Sequence, residues 1–276
     1  MNNNNNKLWY TTFSDEYISG LPIGTGRLAG MVYGEPTNEK MGLNHEWLWR
    51  GVHRNRENVK SAHLLSEVRK LILAGNYSDG SIKANEAFGG GGGCDPTGSV
   101  SRVDAYQPAG DFSISLEHGD VLEYRRELDL ETASVKVSYC ADGQKFIREY
   151  IAHIELDILL VRISSDSTFN GAFSFSRVTD DECFLNFQSL YNKLIMDGQF
   201  EGGIGFRTEA QLLHNDGSGE FFAENIVVKN ATEVIFAVNI GTSANGYSPA
   251  EECNRFVLPV TNWQSLLESH ISAYKK

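Results

Sequence analysis

An alternation of apolar and polar residues runs through the chain after about residue 105, and it constrains the fold more than any other feature. Phe112, Ile114 and Leu116 alternate with serines, and residues 135–139 repeat the pattern. Successive side chains of a β-strand point to opposite faces, so this alternation predicts half-buried antiparallel strands.

Similar strand-like runs recur along the rest of the chain, at 146–152, 158–163, 171–175, 194–196, 204–213, 221–228 and 234–240. Turn-forming residues separate the runs, at 118–120, 142–143, 197–198, 215–217 and 230–231. Many strands joined by short turns predict a mainly β fold, a large two-sheet antiparallel β-sandwich. The 276 residues are compatible with one all-β domain, which we expect over residues 7–260.

Short helices are predicted to interrupt the sandwich. Ser61 is a candidate N-cap for a helix over 61–74, and Gly75 stands where a left-handed C-cap belongs. A weaker pattern predicts a helix over 78–88. The glycine tract that follows predicts a mobile loop over 89–104.

A C-terminal helix is predicted over 262–274, with Asn262 as its cap. Its apolar stripe consists of Trp263, Leu266, Leu267, His270, Ile271 and Tyr274. Such a stripe needs a partner that covers it, so we interpret residues 261–276 as a linker helix. Residues 1–6, rich in asparagine, are predicted to form a disordered tail.

The segment from Leu43 to Gly51 concentrates polar and aromatic groups and is the candidate site. It contains Asn44, Glu46 and Arg50, which suit hydroxyl recognition, and two of the four tryptophans, Trp47 and Trp49. In an extended segment both indoles would face one side, as a core anchor or as a platform for a sugar ring. Both interpretations remain open.

The glycines at 24–29 fit a dinucleotide-binding fingerprint, which requires a helix opening at the glycines and an acidic residue about 20 positions on. A short β-like run at 31–36 follows the glycines in place of the helix. The position about 20 residues on, where the fingerprint requires an acidic residue, holds Asn44. We therefore interpret these glycines as a tight corner.

Several short blocks stand in a fixed order along the chain: Leu8-Trp9-Tyr10, Leu21-Pro-Ile-Gly-Thr-Gly-Arg-Leu28, Leu43-Asn44 with Leu48-Trp49-Arg50-Gly51, Tyr106-Gln-Pro-Ala-Gly-Asp111, Tyr124-Arg-Arg-Glu-Leu-Asp-Leu130, and Arg148-Glu-Tyr150 with Leu159-Leu-Val-Arg-Ile163. In this order the blocks resemble glycoside hydrolase family 95, the α-L-fucosidase family. The resemblance covers about the first 165 residues. One departure is His45-Glu46-Trp47, where the family usually has an acidic pair and Thr, so substrate choice is not carried over.

The resemblance implies a supersandwich-like N-terminal domain whose last helix leads into a catalytic (α/α)6 barrel of the same polypeptide. That barrel is expected to be absent from these residues, so no catalytic residue is assigned, although Glu46 is the best-placed carboxylate. The expected function is to pack on the barrel and shape its cleft for a glycan substrate, with Asn44, Glu46, Trp47, Trp49 and Arg50 at the rim. Alternatives are a free-standing carbohydrate-binding or scaffold module and, less favoured by the blocks, a domain of a related inverting phosphorylase.

Composition excludes several other classes. The 24 basic and 36 acidic residues give a net charge of −12, which argues against nucleic acid and anionic membranes as partners. The seven histidines and four cysteines lack metal-ligand spacing, so no metal or other cofactor is predicted.

The cysteines are expected to be free thiols, with one disulfide left open. They are Cys94, Cys140, Cys183 and Cys253. No secretory signal follows Lys7, so the sequence as written predicts a cytoplasmic protein, and secretion stays open if the N-terminus was altered.

Overall fold

The computed structural model describes residues 6–52, 61–88, 104–255 and 262–276. The chain forms two compact units, one made of residues 1–48 and 107–276 and one of Trp49–Tyr106. Predictions for residues 1–5, for Cys94 and for most of the loop at 89–104 lie outside the described residues.

The first unit is built almost entirely of antiparallel strands, as the alternation predicts. Its strands are β1 Lys7–Tyr10, β2 Leu21–Gly24, β3 Leu28–Val32, β4 Asn38–His45, β5 Asp111–Leu116, β6 Val121–Asp129, β7 Ser134–Ala141, β8 Gln144–His153, β9 Ile158–Ser176, β10 Cys183–Leu190, β11 Lys193–Phe200, β12 Gly205–Asn215, β13 Ser218–Phe221 and β14 Asn225–Thr242. The mainly β fold class is confirmed.

The strands form a sandwich-like fold of two layers. One layer follows the order β1-β6-β7-β8-β9-β14-β12-β11-β10, and the other contains β2-β3-β4-β5. The layers are not separate sheets, because β9 and β14 belong to both. Residues 158–165 of β9 pair with β8, whereas residues 171–176 pair with β5.

β14 accompanies β9 through both layers, with register shifts between Val228 and Glu233. Asn230 has a left-handed φ of 54° at this irregularity. The predicted turn at 230–231 is therefore wrong. It is a bulge that bends a strand while leaving it in the sheet.

Two other local predictions also fail. Residues 221–228 are not one strand, because the chain turns between β13 and β14. Asp197 and Gly198 do not form a turn but lie inside β11. Asp197 accepts two hydrogen bonds from Arg207 across the strands, and the Phe206 ring lies over Gly198, so cross-strand contacts override the local turn signal.

Aromatic and aliphatic side chains from both layers fill the core between them. The ring centroids of Phe173 and Phe236 are 4.6 Å apart, and Phe112 lies 5.3 Å from Phe236. A buried ion pair also links the layers: Arg148 Nη1 of β8 lies 3.4 Å from Glu39 Oε2 of β4, and both side chains are inaccessible to solvent.

Helices α3 Pro249–Asn254 and α4 Trp263–Tyr274 lie near the end of the first unit. α4 agrees with the prediction, and the Asn262 side chain caps it by accepting a hydrogen bond from Ser265 N–H at 3.1 Å. The sequence analysis missed α3, although Ser248 and Glu251 form a capping box there.

The stripe of α4 is covered within this unit. Trp263 and Leu266 form a buried cluster with Ile151, Ile158, Leu160, Ile235 and Ala237 on the outer face of the sheet. The stripe therefore does not require another domain to cover it. The role of residues 261–276 as a linker stays a prediction.

The second unit contains helices α1 Leu65–Leu73 and α2 Tyr77–Phe88, with a 3-10 turn at Ala62–Leu64. Both predicted helices are present, and Gly75 has the left-handed φ of 82° that ends α1. Ser61 occupies the N-cap position of the 3-10 turn that leads into α1, but its side chain makes no capping hydrogen bond there.

The remaining predictions concern termini, thiols and membranes. Asn6 is not part of a disordered tail, because its carbonyl accepts a 2.8 Å hydrogen bond from Leu130 N–H. Cys140 and Cys253 are free thiols. Within the described ranges, no helix is long and apolar enough to cross a membrane.

Candidate functional site

The candidate segment is a turn rather than an extended strand. β4 ends at His45, Glu46 and Trp47 form the turn, and the boundary between the two units follows Leu48. The pleat argument that would place both indoles on one side therefore does not apply. Asn44, Glu46 and Trp47 belong to the first unit, and Trp49 and Arg50 belong to the second.

In the first unit Glu46 and Trp47 are exposed and hydrogen-bonded to each other, and Asn44 is half-buried. Trp47 is 55% exposed, and its Nε1–H donates to Glu46 Oε1 at 2.8 Å. Glu46 N–H donates to the carbonyl of Arg27 at 2.9 Å. Asn44, half-buried, donates through Nδ2 to the Tyr17 hydroxyl at 3.3 Å. The segment thus presents an indole, a carboxylate and an amide to the outside.

His45 and Leu48, and not the indoles, anchor this turn in the core. Leu48 is fully buried, and its N–H donates to the His45 carbonyl at 3.0 Å. His45 is 1% exposed, and its Nδ1 accepts the Trp47 N–H at 3.1 Å. Burial, together with the nearby charge of Arg27, lowers the pKa of His45 to about 4. The buried ring is therefore neutral at pH 7.

In the second unit Trp49 packs against Tyr106. Their ring centroids are 5.2 Å apart at an interplanar angle of 66°, and their backbones form an isolated antiparallel bridge. Trp49 is 45% exposed, and Arg50 is half-buried. The core-anchor interpretation is therefore wrong for both tryptophans.

Arg27 is the residue of this region that the sequence analysis did not single out. Its guanidinium forms an ion pair with the Asp157 carboxylate and donates to the Ile240 carbonyl at 2.7 Å and to Asn239 Oδ1 at 3.0 Å. Nη1 also lies 3.0 Å from His45 Nε2. Arg27 thus ties the β4 end to the β8–β9 turn and to β14.

The glycines near Arg27 form the tight corner that the sequence predicts. Gly26 has a left-handed φ of 103° in the turn between β2 and β3. Thr25 Oγ1 donates to Asp157 Oδ1 at 2.6 Å and accepts the Leu28 N–H at 3.0 Å. No helix begins here, so the motif positions Arg27 and does not cradle a phosphate.

The side chains at this end of the first unit can bind a ligand by hydrogen bonding and stacking. The half-buried Asn44 and the exposed Glu46 can bind hydroxyls, and an indole face can stack on a sugar ring. Among the described residues, no group of His, Cys, Asp or Glu could hold a metal ion. Asn44 also lines a cavity of about 200 Å³.

A family model described as glycosyl hydrolase family 65, N-terminal domain, matches residues 8–247. The chain belongs to this family. The expected N-terminal glycoside hydrolase domain is therefore confirmed, and its relatives are fucosidases, as the resemblance implies.

Alpha-L-fucosidase 2 of Arabidopsis thaliana is 31% identical over 180 residues, which cover 64% of this chain and 20% of that protein. Probable alpha-fucosidase A of Aspergillus oryzae is 24% identical over 193 residues, covering 66% of this chain and 25% of that protein. The Aspergillus niger protein of the same name is 27% identical over 165 residues, covering 56% and 19%. This family 65 N-terminal domain thus spans only a fifth to a quarter of its fucosidase relatives.

The fold of the family 65 N-terminal domain is also found in a solved structure, a putative kojibiose phosphorylase from human microbiome. The TM-score is 0.58 over 98% of this chain and 37% of that chain, at 8% sequence identity. At that identity the similarity concerns the fold alone.

Proposed function

We propose that this domain packs on a catalytic (α/α)6 barrel of the same polypeptide and shapes the cleft in which the barrel hydrolyses α-L-fucosides or related glycosides. Asn44, Glu46 and Trp47 of the first unit contribute to the rim of that cleft. The roles of Trp49 and Arg50, which belong to the second unit, stay predictions. The fucosidase relatives support the substrate class.

One observation carries the proposal: Trp47 is 55% exposed, although the neighbouring Leu48 is fully buried. Large aromatic side chains exposed beside a fixed anchor are typical of surfaces that contact a partner or a ligand. In this proposal Glu46 orients the Trp47 indole through their hydrogen bond and does not act as a general acid.

An assay of the 276-residue chain on 4-nitrophenyl α-L-fucoside tests the catalytic part of the proposal. We expect no turnover above the uncatalysed rate, because a glycosidase needs two carboxylates flanking the scissile bond and the proposal assigns them to the barrel. Turnover by the chain alone that Glu46→Gln abolishes would overturn the proposal and make Glu46 a catalytic residue.

A free-standing carbohydrate-binding module is the second candidate, favoured by the cavity that Asn44 lines. The two functions differ in their consequence for a catalytic domain. A free-standing module would bind sugar without changing kcat or KM of a fucosidase, whereas a cleft-shaping domain would change them.

A further inference from the structure

A groove with polar groups in its walls lies beside β3, β4 and β5 in the first unit. It consists of two adjacent cavities of about 380 and 200 Å³ that share Tyr33 and Asp111 in their walls. Outward-facing residues alternate with core residues along β4, so Lys40, Gly42 and Asn44 all belong to this face. The groove is therefore a feature of the regular sheet.

Gly42 creates the space at the centre of the groove. A Cβ atom at Gly42 would lie 3.6 Å from both Asp111 Oδ1 and the Tyr33 hydroxyl oxygen. These two oxygens therefore border the same small volume above the glycine. Any side chain larger than hydrogen would fill it.

The two oxygens have no partners among the described residues, although both are partly removed from solvent. Neither the Asp111 carboxylate nor the Tyr33 hydroxyl makes a hydrogen bond or ion pair there, in contrast to most buried polar groups. Burial raises the pKa of both groups, and the charge of Asp111 contributes to the increase at Tyr33. A ligand that satisfies both groups would recover the cost of their desolvation.

The polar groups in the groove match an alcohol. Tyr33 can donate a hydrogen bond, Asp111 can accept one, and a ligand hydroxyl can accept and donate at the same time. Beside them, the Tyr17 ring is 54% exposed and its hydroxyl is held by Asn44 Nδ2. An exposed aromatic ring next to a donor and an acceptor is the arrangement that binds the apolar face and the hydroxyls of a sugar.

We propose that this groove, centred on Gly42, is a binding site for a neutral pyranose sugar, with Tyr33 and Asp111 bonding one ligand hydroxyl and Tyr17 stacking on the ring. The site lies on the domain itself and needs no catalytic partner. It extends the proposed function by giving the domain its own glycan contact.

Saturation-transfer difference NMR on the 276-residue chain with L-fucose and with D-glucose tests this proposal. We expect transfer to at least one of the two sugars. Tyr33→Phe and Asp111→Ala should each weaken binding about tenfold, the equivalent of ~1.4 kcal/mol, as for one lost hydrogen bond to a charged or polar partner.

Gly42→Ala is the most specific test of the site. Its new methyl group would lie in the groove, yet it would contact its neighbours only at ordinary van der Waals distance. The variant should fold with an unchanged thermal midpoint and lose sugar binding. Tyr191→Phe, in the β10–β11 turn with an 83% exposed ring, is the matched control and should bind as the unmodified chain does.

Two results would overturn the site: no transfer to either sugar, or transfer that survives Gly42→Ala and Tyr33→Phe. Neither result bears on the cleft-shaping function, which is measured by fucosidase kinetics in a protein that contains the catalytic domain. The two proposals can therefore fail separately.

Discussion

At the scale of single residues, buried arginines fix the positions of segments that are far apart in the chain. Arg126, only 2% exposed, donates to the carbonyls of Thr12 and Ser19 at 2.8 Å each, and so holds the segment between β1 and β2. Arg27 and Arg148 likewise bond to segments that are far away in the sequence. All three lie in the blocks that resemble the fucosidase family, so those blocks contain structural anchors.

Arg27→Met is expected to destabilise the chain by about 3 kcal/mol, because it leaves the Asp157 carboxylate and buried carbonyl groups without their charged donor. Chemical denaturation followed by circular dichroism measures the change. Arg125→Met is the control, since Arg125 is an exposed partner of Glu127 and its loss should cost less than about 1 kcal/mol. Equal effects of the two variants would contradict the anchoring role.

Arg148→Met should cost about 3–5 kcal/mol, since it leaves the buried Glu39 carboxyl without its cationic partner. Adding Glu39→Gln should restore part of the loss. A glutamine oxygen can still accept the N–H groups of Tyr33 and Gly34, which bond Glu39 at 3.0 and 2.9 Å. A double variant no more stable than Arg148→Met would show that the ion pair is not the cause.

Sequence reasoning located the candidate segment but not the contacts that hold it. The concentration of polar and aromatic groups at 43–51 is visible in the sequence, whereas the exposure of Trp47 depends on the turn after His45. Arg27 was missed because its partners, Asp157 and Asn239, are more than a hundred residues away. No local sequence pattern predicts a contact between residues that far apart.

At the scale of elements, the docking of α4 on the sheet includes two buried histidines. His153 Nε2 lies 3.1 Å from Ser269 Oγ, and His270 Nε2 lies 2.8 Å from the Thr132 carbonyl oxygen. Burial lowers the pKa of both rings, and the charge of His270 lowers that of His153 further, against an opposing effect of Glu155. Both rings are neutral when the helix is docked.

Acidification should therefore loosen α4. The folded pKa values lie below the unfolded value of about 6.5, so the stabilisation is complete above that pH and is lost as the pH falls from there toward the folded values. Hydrogen exchange of the α4 amides, corrected for intrinsic rates, should be faster at pH 5.5 than at pH 7.5. His270→Gln with His153→Gln should weaken this pH dependence, and an unchanged dependence would exclude the histidines.

Most helices and strands were predicted correctly from residue patterns. The incorrect turn predictions share one cause. The alternation in β5 and β7 and the Asn262 cap of α4 were predicted correctly because each depends on neighbours in sequence. The expected turns at 197–198 and 230–231 lie inside β11 and β14. Hydrogen bonding to the neighbouring strands determines the backbone conformation at those positions. It outweighs the local preference of these residues for a turn.

At the scale of the whole first unit, β9 and β14 make one hydrogen-bonded system of two layers. Alternation predicted two faces of buried residues but could not show that two long strands pass through both layers. The family and its fucosidase relatives were predictable from the blocks of sequence. The sugar groove was not, since it depends on Gly42, Tyr33 and Asp111 meeting across three strands.

The most direct measurement of the central claim is the steady-state kinetics of Trp47→Ala in a polypeptide that joins this domain to the proposed catalytic barrel. If Trp47 shapes the cleft, kcat/KM on an α-L-fucoside should fall about tenfold or more, equivalent to ~1.4 kcal/mol, while the thermal midpoint stays unchanged. Trp9→Ala, at a 48% exposed position on β1, should leave kcat/KM unaltered. An unchanged kcat/KM in a folded Trp47→Ala protein would contradict the claim.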